Sequence, residues 1–379
     1  MASEFKYIGY YDTKENAFEN RMYSLAATNK MDYICNVLNR NGYKVLIISP
    51  SRTLNNSFYK GKKVKINDNT ELKLFPSLPL GNKIQRAFAH FAGDIMLFWY
   101  LLTKVKKDET ILVYHSLAFL SIVRIAKKIK RFKIVLEVEE IYQDVEPCSK
   151  RVKRNEYRTI ESAERYIFST ELLNQKVNLT NKPFSIIYGT YKVEEDCKKK
   201  FNDGKIHVVY AGTLNSQKGS LEAIASAEFL PFNYHIHIIG FGTEEEMKKI
   251  KDEIERVSQK SAATVTFDGL LKGKEYTEFL QKCDIGLSTQ NPDAVFNDTS
   301  FPSKIFSYLS NGLRVVSIRL KAIEESTINK DIVYYDTQTP SAIAEVIESI
   351  DLSKEYDSRK ILKKLDQEFV GNFDKLLRN

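Results

Sequence analysis

Short apolar runs alternate with longer amphipathic stretches along the 379-residue chain, and this alternation constrains the fold more than any other feature. Runs such as Lys44–Ser49 and Lys133–Val138 have the length and the β-branched content of buried strands. Stretches such as Glu244–Ser258 repeat their apolar residues at helical spacing. Strands that alternate with helices form parallel sheets covered by helices on both faces. The sequence therefore predicts an α/β protein.

The alternation falls into two series, separated by the polar and highly charged segment Gly189–Gly204. A chain of this length is expected to form two domains of ordinary size. We expect residues 1–190 to form a first doubly wound, Rossmann-like domain and residues 205–352 to form a second. Residues 353–379 contain a last helical pattern with no following strand, and we expect this helix to pack back on the first domain.

The formal net charge of +8 suits an anionic partner, which is a nucleic acid, an acidic membrane or a phosphorylated substrate. The basic residues form scattered clusters, and no nucleic-acid-binding module is recognisable, so nucleic acid is not an expected partner. The four cysteines lack CxxC or metal-ligand spacing, and the N-terminus shows no secretory signal. These features predict reduced thiols in a cytoplasmic protein.

The segment Ala87–Leu102 is unusually apolar and aromatic, but it is shorter and more interrupted than the stretch of about 20 apolar residues that a spanning helix needs. Basic residues flank it on both sides. They are Lys83, Arg86, Lys104, Lys106 and Lys107. Two interpretations remain open: a helix buried against the first sheet, or a helix that lies in a bilayer interface. The second would place the protein at the inner face of the plasma membrane.

The segment Phe301–Ile318, FPSKIFSYLSNGLRVVSI, predicts a short helix followed by a buried strand. Pro302 occupies the helix start, with Ser303 and Lys304 in the first turn. A helix N-terminus has unpaired N–H groups and a partial positive charge, which suit phosphate. Because the same dipole disfavours a lysine unless an anion is near, the segment indicates a diphosphate site.

The segment Tyr210–Gly219, YAGTLNSQKG, follows a predicted strand and begins a helix. Ligands of open α/β sheets bind outside the carboxyl ends of strands. Gly212 allows the backbone to approach a ligand, Thr213 supplies a hydroxyl group and Lys218 an ammonium group. Lys218 alone is equally well interpreted as a surface lysine, whereas together with Lys304 it forms a pair that can close on one diphosphate.

Two further strand–turn segments belong to the same series. IIGFG, which contains Phe241, lacks the third glycine of a dinucleotide fingerprint and is interpreted as a tight turn beside the site. VTFDGLL contains Leu270, whose side chain is expected to pack on the face of a nucleobase.

These segments, together with CDIGLS, occur in the order and spacing of a bacterial nucleotide-sugar glycosyltransferase. The chain resembles GT-B fold enzymes and is similar to glycosyltransferase family 4 (group 1), most clearly over Lys205–Ser317. The resemblance implies two Rossmann-like domains facing a cleft and a UDP-sugar donor in the second domain. It further implies that Lys218 meets the phosphates, that Ser303 and Lys304 point at the diphosphate, and that no cofactor or metal is needed.

The chain departs from the family at three positions. Thr213 stands where an arginine is frequent, and Thr299 and Ser307 stand where many members have two glutamates, the second of which holds the ribose hydroxyl groups. The predicted donor site comprises Gly212, Thr213, Lys218, Phe241, Leu270, Thr299, Ser300, Ser303, Lys304 and Ser307.

The first domain is then expected to hold the acceptor. His115 ends a predicted strand and is either a group near the reaction centre or a hydrogen-bonded structural histidine. Glu139 and Glu140 follow the next strand and either act in the cleft or pair with nearby basic residues. The predicted catalytic set comprises His115, Glu139, Glu140, Lys218 and Lys304. The loop after the first strand is expected to bind the acceptor through Asn16, Asn20 and Arg21.

The sequence therefore predicts a glycosyltransferase that moves a sugar from a nucleoside diphosphate donor to a saccharide acceptor, expected to be lipid-linked, in surface polysaccharide or glycoconjugate synthesis. The resemblance implies retention of anomeric configuration. Two alternatives stay open. One is a nucleotide-sugar epimerase of similar fold, which needs no acceptor, and the other is a non-catalytic glycosyltransferase-like partner subunit.

Overall fold

The computed structural model describes residues 4–13, 19–142, 149–197 and 200–378. The chain divides into two compact units, each with one sheet. The first unit comprises Met1–Thr190 and Glu368–Asn379, and the second comprises Tyr191–Gln367.

The sheet of the first unit has the strand order β3-β4-β2-β1-β5-β6-β7-β8, in which only the β3–β4 pair is antiparallel. Its strands are β1 (Glu4–Ile8), β2 (Lys44–Ser49), β3 (Lys62–Asn67), β4 (Thr70–Leu74), β5 (Thr110–Tyr114), β6 (Lys133–Val138), β7 (Arg165–Phe168) and β8 (Phe184–Ile186). Its helices are α1 (Leu25–Arg40), α2 (Lys83–Lys104), α3 (Leu120–Lys130), α4 (Lys150–Glu161) and α5 (Glu171–Val177). The central strands are apolar on both faces because helices cover both sides.

The antiparallel pair β3–β4 was not predicted from the sequence. Its residues alternate between charged and apolar types, and every second residue of β3 is exposed. A strand at a sheet edge with one face in solvent lacks the continuous apolar run by which the buried parallel strands were identified.

Helix α2 contains the apolar segment Ala87–Leu102 and presents two different faces. Asn82 caps its N-terminus in a capping box with Gln85. One face is buried and consists of Ala89, Gly93, Leu97, Tyr100 and Leu101. The other is exposed and carries Ile84, Phe88, Phe91, Ile95 and Trp99. Among the described residues, no helix combines the length and the apolar content required to cross a membrane.

The sheet of the second unit is entirely parallel, with the order β11-β10-β9-β12-β13-β14. Its strands are β9 (Ile206–Thr213), β10 (Tyr234–Phe241), β11 (Thr264–Gly269), β12 (Ile285–Ser288), β13 (Arg314–Ile318) and β14 (Ile332–Tyr335). Its helices are α6 (Ser220–Ala225), α7 (Glu244–Ser258), α8 (Gly273–Lys282), α9 (Ser303–Ser310), α10 (Lys321–Glu324) and α11 (Pro340–Glu348). The strand order reverses direction between β9 and β12, which creates a crevice at the carboxyl ends of these strands.

The last helix, α12 (Arg359–Arg378), begins in the second unit and ends in the first. The Asn41 side-chain amide donates to the carbonyl oxygen of Val370 at 3.1 Å, and the Tyr43 hydroxyl group donates to Asp374 at 2.8 Å. These contacts attach the last turns of α12 to the end of α1. The prediction of two doubly wound α/β sheets is confirmed.

Candidate functional site

A cavity of about 290 Å³ lies in the second unit at the carboxyl end of β9, beside the start of α9. It is formed where the strand order reverses, which is where open α/β sheets bind ligands. Its lining includes seven of the residues predicted for the donor site. They are Gly212, Thr213, Lys218, Ser300, Ser303, Lys304 and Ser307.

Two glycines shape the loop that follows β9. Gly212 has a φ of +148°, a backbone conformation that side chains disfavour, and it lies directly below the lysine of α9. Gly219 has a φ of +74°, and a Cβ atom there would lie 1.6 Å from the carbonyl oxygen of Thr289. The loop can therefore pack against the end of β12 only with glycine at position 219.

Lys218 ends a short 3₁₀ turn, Ser216–Lys218, that Asn215 caps. The side-chain oxygen of Asn215 accepts a hydrogen bond of 3.0 Å from the Lys218 backbone N–H group. The Nζ atom of Lys218 lies 3.7 Å from the centre of the Phe296 ring, which attracts the ammonium group to this side of the cavity. Local turn geometry therefore positions the backbone of Lys218, and the Phe296 ring positions its ammonium group.

Lys304 lies in the first turn of α9, and its ammonium group is the most unusual feature of the site. Part of its side chain reaches solvent, but its Nζ atom is buried and has no hydrogen-bond partner among the described residues. Burial lowers the pKa of Lys304 well below its usual value, and the nearby charge of Lys218 lowers it further. A buried ammonium group without an acceptor is strongly unfavourable. An anion in the cavity would remove this penalty.

The N-terminus of α9 adds backbone donors to the two ammonium groups. Pro302 is the N-cap residue, and it makes no side-chain capping hydrogen bond. The first N–H groups of a helix have no partner within the helix, and they carry the positive end of its dipole. The cavity therefore combines two cations with a helix N-terminus, a combination suited to a diphosphate.

Tyr276 and Phe296 line the cavity but were not identified from the sequence. The hydroxyl oxygen of Tyr276 lies 2.9 Å from the Oγ atom of Ser307, so Ser307, for which a ribose contact is predicted, is paired with a tyrosine. Burial raises the pKa of Tyr276. Each of them meets a cavity residue that is distant in sequence, Ser307 for Tyr276 and Lys218 for Phe296, so only the fold brings each pair together.

Three of the predicted donor residues do not line the cavity. Phe241 and Leu270 lie at or just after the carboxyl ends of β10 and β11 and are exposed, whereas Thr299 is fully buried. Their contacts with a donor stay a prediction. Phe241 and Leu270 are exposed, so a nucleobase beside the crevice can contact them. Thr299 is buried and is not among the residues that line the cavity.

His115 has a contact expected of a hydrogen-bonded structural histidine. It is buried, its Nδ1 atom lies 3.1 Å from the carbonyl oxygen of Glu140, and its Nε2 atom lies 3.3 Å from a carboxylate oxygen of Glu156. The Nε2 atom makes no hydrogen bond among the described residues, and its burial, not a hydrogen bond, keeps it from a substrate in this geometry. A catalytic role of His115 stays a prediction that these contacts do not support.

Glu137 and the neighbouring Glu139 belong to one polar cluster, in which Glu137 is buried and Glu139 is partly exposed. The Nζ atom of Lys30 lies 3.1 Å from Glu139 and donates to the carbonyl oxygen of Ile187 at 2.8 Å. Glu137 is buried and accepts a hydrogen bond from Tyr7. Burial, reinforced by the charge of Glu139, raises the pKa of Glu137 to about 8.

Glu139 and Glu140 follow β6 and are only partly buried, so they remain candidates for a role at the carboxyl end of this strand. Their catalytic role stays a prediction, because no described contact identifies a ligand beside them.

The predicted acceptor residues do not form one site. Arg21 is buried, with its Nε atom 2.9 Å from Glu19 and its Nη1 atom donating to the carbonyl oxygen of Ser51 at 2.8 Å. This ion pair indicates a structural role for Arg21, and its contact with an acceptor stays a prediction. Asn20 is exposed, with a φ of +48°, and its role stays a prediction. Asn16 lies outside the described residues.

The sequence matches no protein-family model and no curated protein. Solved structures, in contrast, match along nearly the whole chain. Sucrose-phosphate synthase from Thermosynechococcus elongatus has a TM-score of 0.65 and 11% identity, covering 99% of this chain and 98% of its own. The Anabaena protein HepE in complex with UDP and glucose has a TM-score of 0.61 and 13% identity, covering 99% and 98%.

An α,α-trehalose-phosphate synthase (UDP-forming) from Burkholderia xenovorans, in complex with glucose-6-phosphate, has a TM-score of 0.63 and 10% identity, covering 100% of this chain and 99% of its own. At such low identity these similarities establish the fold and nothing finer. The chain has the GT-B fold of these glycosyltransferases.

Proposed function

We propose that this protein is a glycosyltransferase that binds the diphosphate of a UDP-sugar between Lys218, Lys304 and the N-terminus of α9. The observation that carries the proposal is the buried Nζ atom of Lys304, which has no hydrogen-bond partner among the described residues and borders the cavity. Phosphate oxygens are the acceptors that such a group lacks.

The same groups would assist sugar transfer. When the bond between the anomeric carbon and the phosphate oxygen breaks, negative charge accumulates on the departing diphosphate. Ammonium groups and N–H groups fixed in advance around the diphosphate stabilise that charge more in the transition state than in the ground state. Lys218 and Lys304 therefore act on the leaving group, and we expect transfer to need no metal. Retention of configuration is carried over from the family 4 resemblance and is part of the proposal.

The comparisons support the choice of donor and acceptor class. One similar structure contains UDP and glucose, and another is described as UDP-forming and contains glucose-6-phosphate. We therefore propose UDP as the nucleotide and a saccharide as the acceptor.

The exposed face of α2 supports an acceptor at a lipid surface. Ile84, Phe88, Phe91, Ile95 and Trp99 recur at helical spacing and extend for roughly 22 Å along the helix. Phe88 is 63% exposed and Trp99 is 60% exposed, although both are large apolar side chains. Lysine and arginine residues flank the helix, a pattern typical of helices that lie in the interface of an anionic bilayer. We propose that this face binds the inner leaflet of the plasma membrane and that the acceptor is a lipid-linked saccharide.

A donor screen tests the function. Purified protein is mixed with each common nucleotide sugar, with and without a lipid-linked saccharide, and release of the nucleoside diphosphate is measured. We expect release from a UDP-sugar that increases with acceptor, and loss of release in Lys304→Met. Conversion of the donor sugar without acceptor, followed by NMR, would favour the epimerase instead. Binding of UDP without any turnover would favour the non-catalytic subunit.

A further inference from the structure

Three histidines form a cluster at the amino ends of β9 and β10 that the proposed function does not use. The strands pair in parallel with His207 opposite His235, and His237 follows two residues later, so all three imidazoles lie on one face of the sheet. Their potential ligand atoms all lie within 4.8 Å of one another. The donor cavity lies at the opposite ends of these strands, roughly 16 Å away along β9, so the cluster is a separate site.

Each imidazole has an oxygen partner at one of its two nitrogens. The pairs are His207 Nε2 with Asp203 Oδ1 at 2.9 Å, His237 Nδ1 with Asp268 Oδ2 at 3.0 Å, and His235 Nε2 with Thr266 Oγ1 at 3.0 Å. Carboxylates only accept hydrogen bonds, so the nitrogens that face Asp203 and Asp268 carry hydrogen. Histidines that bind metal have this arrangement, in which an oxygen acceptor fixes one nitrogen and leaves the other for the ion.

The ring nitrogens of His207 and His237 that are not in these pairs face each other. His207 Nδ1 and His237 Nε2 lie 2.9 Å apart. With hydrogen on the outer nitrogens, both inner nitrogens present lone pairs. Two lone pairs at this distance repel unless a positive species lies between them. That species is either an additional proton or a metal ion.

We propose that His207 Nδ1, His237 Nε2 and His235 Nδ1 bind a divalent transition-metal ion of the zinc class. Imidazole nitrogens suit Zn²⁺, Ni²⁺ and Cu²⁺. Tetrahedral coordination at Zn–N distances of about 2.0–2.1 Å requires the inner nitrogens of His207 and His237 to separate by roughly half an ångström. It also requires the His235 ring, which stacks on His237 with 3.9 Å between ring centres, to turn so that its Nδ1 lone pair points at the ion. His235 is partly exposed, so solvent can supply the fourth ligand.

Charged groups beside the cluster act on the ion in both directions. The carboxylates of Asp203 and Asp268, each paired with one of the histidines, offset the charge of the ion, whereas the charge of the nearby Lys205 opposes it.

Aromatic rings shield the cluster on one side. The Phe201 ring stacks on His207 with 4.0 Å between ring centres and lies 5.2 Å from His237, and Phe279 meets His237 edge-on at 5.1 Å. An apolar shell of this kind limits solvent access to a metal site. The ion would link β9 to β10 and thereby stabilise the second unit.

The test is a calorimetric titration of the chelator-treated, dialysed full chain with Zn²⁺. We expect one ion per chain. The ion should displace the proton held between His207 and His237, so the measured heat should depend on the ionisation enthalpy of the buffer. His237→Gln and the half-exposed His235→Gln should lose this binding. Asp268→Asn should weaken it about 10- to 100-fold, as changes to outer-shell acceptors do. His90→Gln, which removes an exposed histidine of α2, should bind like the unaltered protein.

Three results would overturn the proposal. The first is that no stoichiometric Zn²⁺ binding is measured, in which case a proton lies between His207 Nδ1 and His237 Nε2. The second is that Zn²⁺ binding persists in His235→Gln, which would indicate ligands elsewhere. The third comes from the unaltered protein with Co²⁺ and does not depend on the variants folding: a thiolate charge-transfer band would identify cysteine ligands and contradict the site.

Discussion

The Nζ atom of Lys304 lies 3.7 Å from the centre of the Tyr210 ring. The hydroxyl oxygen of the same tyrosine lies 2.9 Å from the carbonyl oxygens of both Thr213 and Lys218. Tyr210 thus supports both cations of the cavity, one through its ring face and the other through the backbone of the loop. This relationship explains how two lysines are held close together before any anion binds.

Tyr210→Phe separates these two roles. The variant keeps the ring beneath Lys304 but leaves the loop carbonyl oxygens without their donor. We expect a loss of about 0.5–1.5 kcal/mol in the free energy of unfolding and weaker binding of UDP. Urea unfolding and calorimetric titration measure the two effects. Unchanged UDP affinity would show that the hydroxyl group does not position Lys218.

Lys304→Met should stabilise the protein without nucleotide while abolishing nucleotide binding. Methionine fills a similar volume without placing an ammonium group in a buried position that lacks an acceptor. Thermal melts should show an increase in Tm for this variant and no change for the control Lys251→Met, at an exposed site on α7. A large decrease in Tm in Lys304→Met would mean that the ammonium group already has a stabilising partner.

The lowered pKa of Lys304 predicts a pH dependence. Between its lowered folded value and the unfolded value of about 10.4, the unfolded chain binds more protons than the folded chain. Stability without nucleotide should therefore rise as the pH rises through this window. UDP affinity should fall over the same window, because the phosphates need the ammonium form. The rise in stability should be smaller in Lys304→Met, which is expected to bind no UDP at any pH.

The buried carboxyl group of Glu137 predicts the opposite trend in the first unit. Its pKa is raised to about 8, so the stability it contributes is complete below its unfolded value of about 4.3 and is lost as the pH rises through 8. Glu137→Gln should flatten this part of the stability profile, measured by urea unfolding at several pH values. An unaltered profile in the variant would assign the dependence to other groups.

The exposed face of α2 predicts binding to vesicles. Phe88→Glu with Trp99→Glu should reduce cosedimentation with vesicles that contain anionic lipid, and Tm should change little because both side chains are exposed. Phe232→Glu is the matched control, since Phe232 is 75% exposed and lies in the second unit. Equal vesicle binding by the unaltered protein, the double variant and Phe232→Glu would exclude this face of α2 as the membrane contact.

The sequence predicts the sheets well wherever strands are buried on both faces. β2 and β6 are buried at every residue after the first, and their predicted and observed bounds agree. The edge strand β3 and its neighbour β4 have no continuous buried run. The positions of Lys218 and Lys304 were also predictable, because Lys218 ends a local turn and Lys304 lies in the first turn of a helix, and both motifs depend on neighbours in sequence.

The remaining features of the site depend on contacts between distant segments. Tyr276 reaches Ser307 from another helix, and no spacing pattern connects the two residues. Arg21 has the composition of a binding residue, but its partner Glu19 and the carbonyl group of Ser51 hold it in the interior. Pairing of this kind depends on how the loop folds back on the sheet, which local sequence does not encode.

Isothermal titration calorimetry of the purified protein with UDP, with Lys304→Met and Lys251→Met measured in parallel, tests whether the cavity binds a diphosphate. We expect one UDP per chain for the unaltered protein and for Lys251→Met, and no measurable heat for Lys304→Met. Equal UDP affinity in all three proteins, or no binding in any of them, would contradict the assignment of this cavity to the diphosphate.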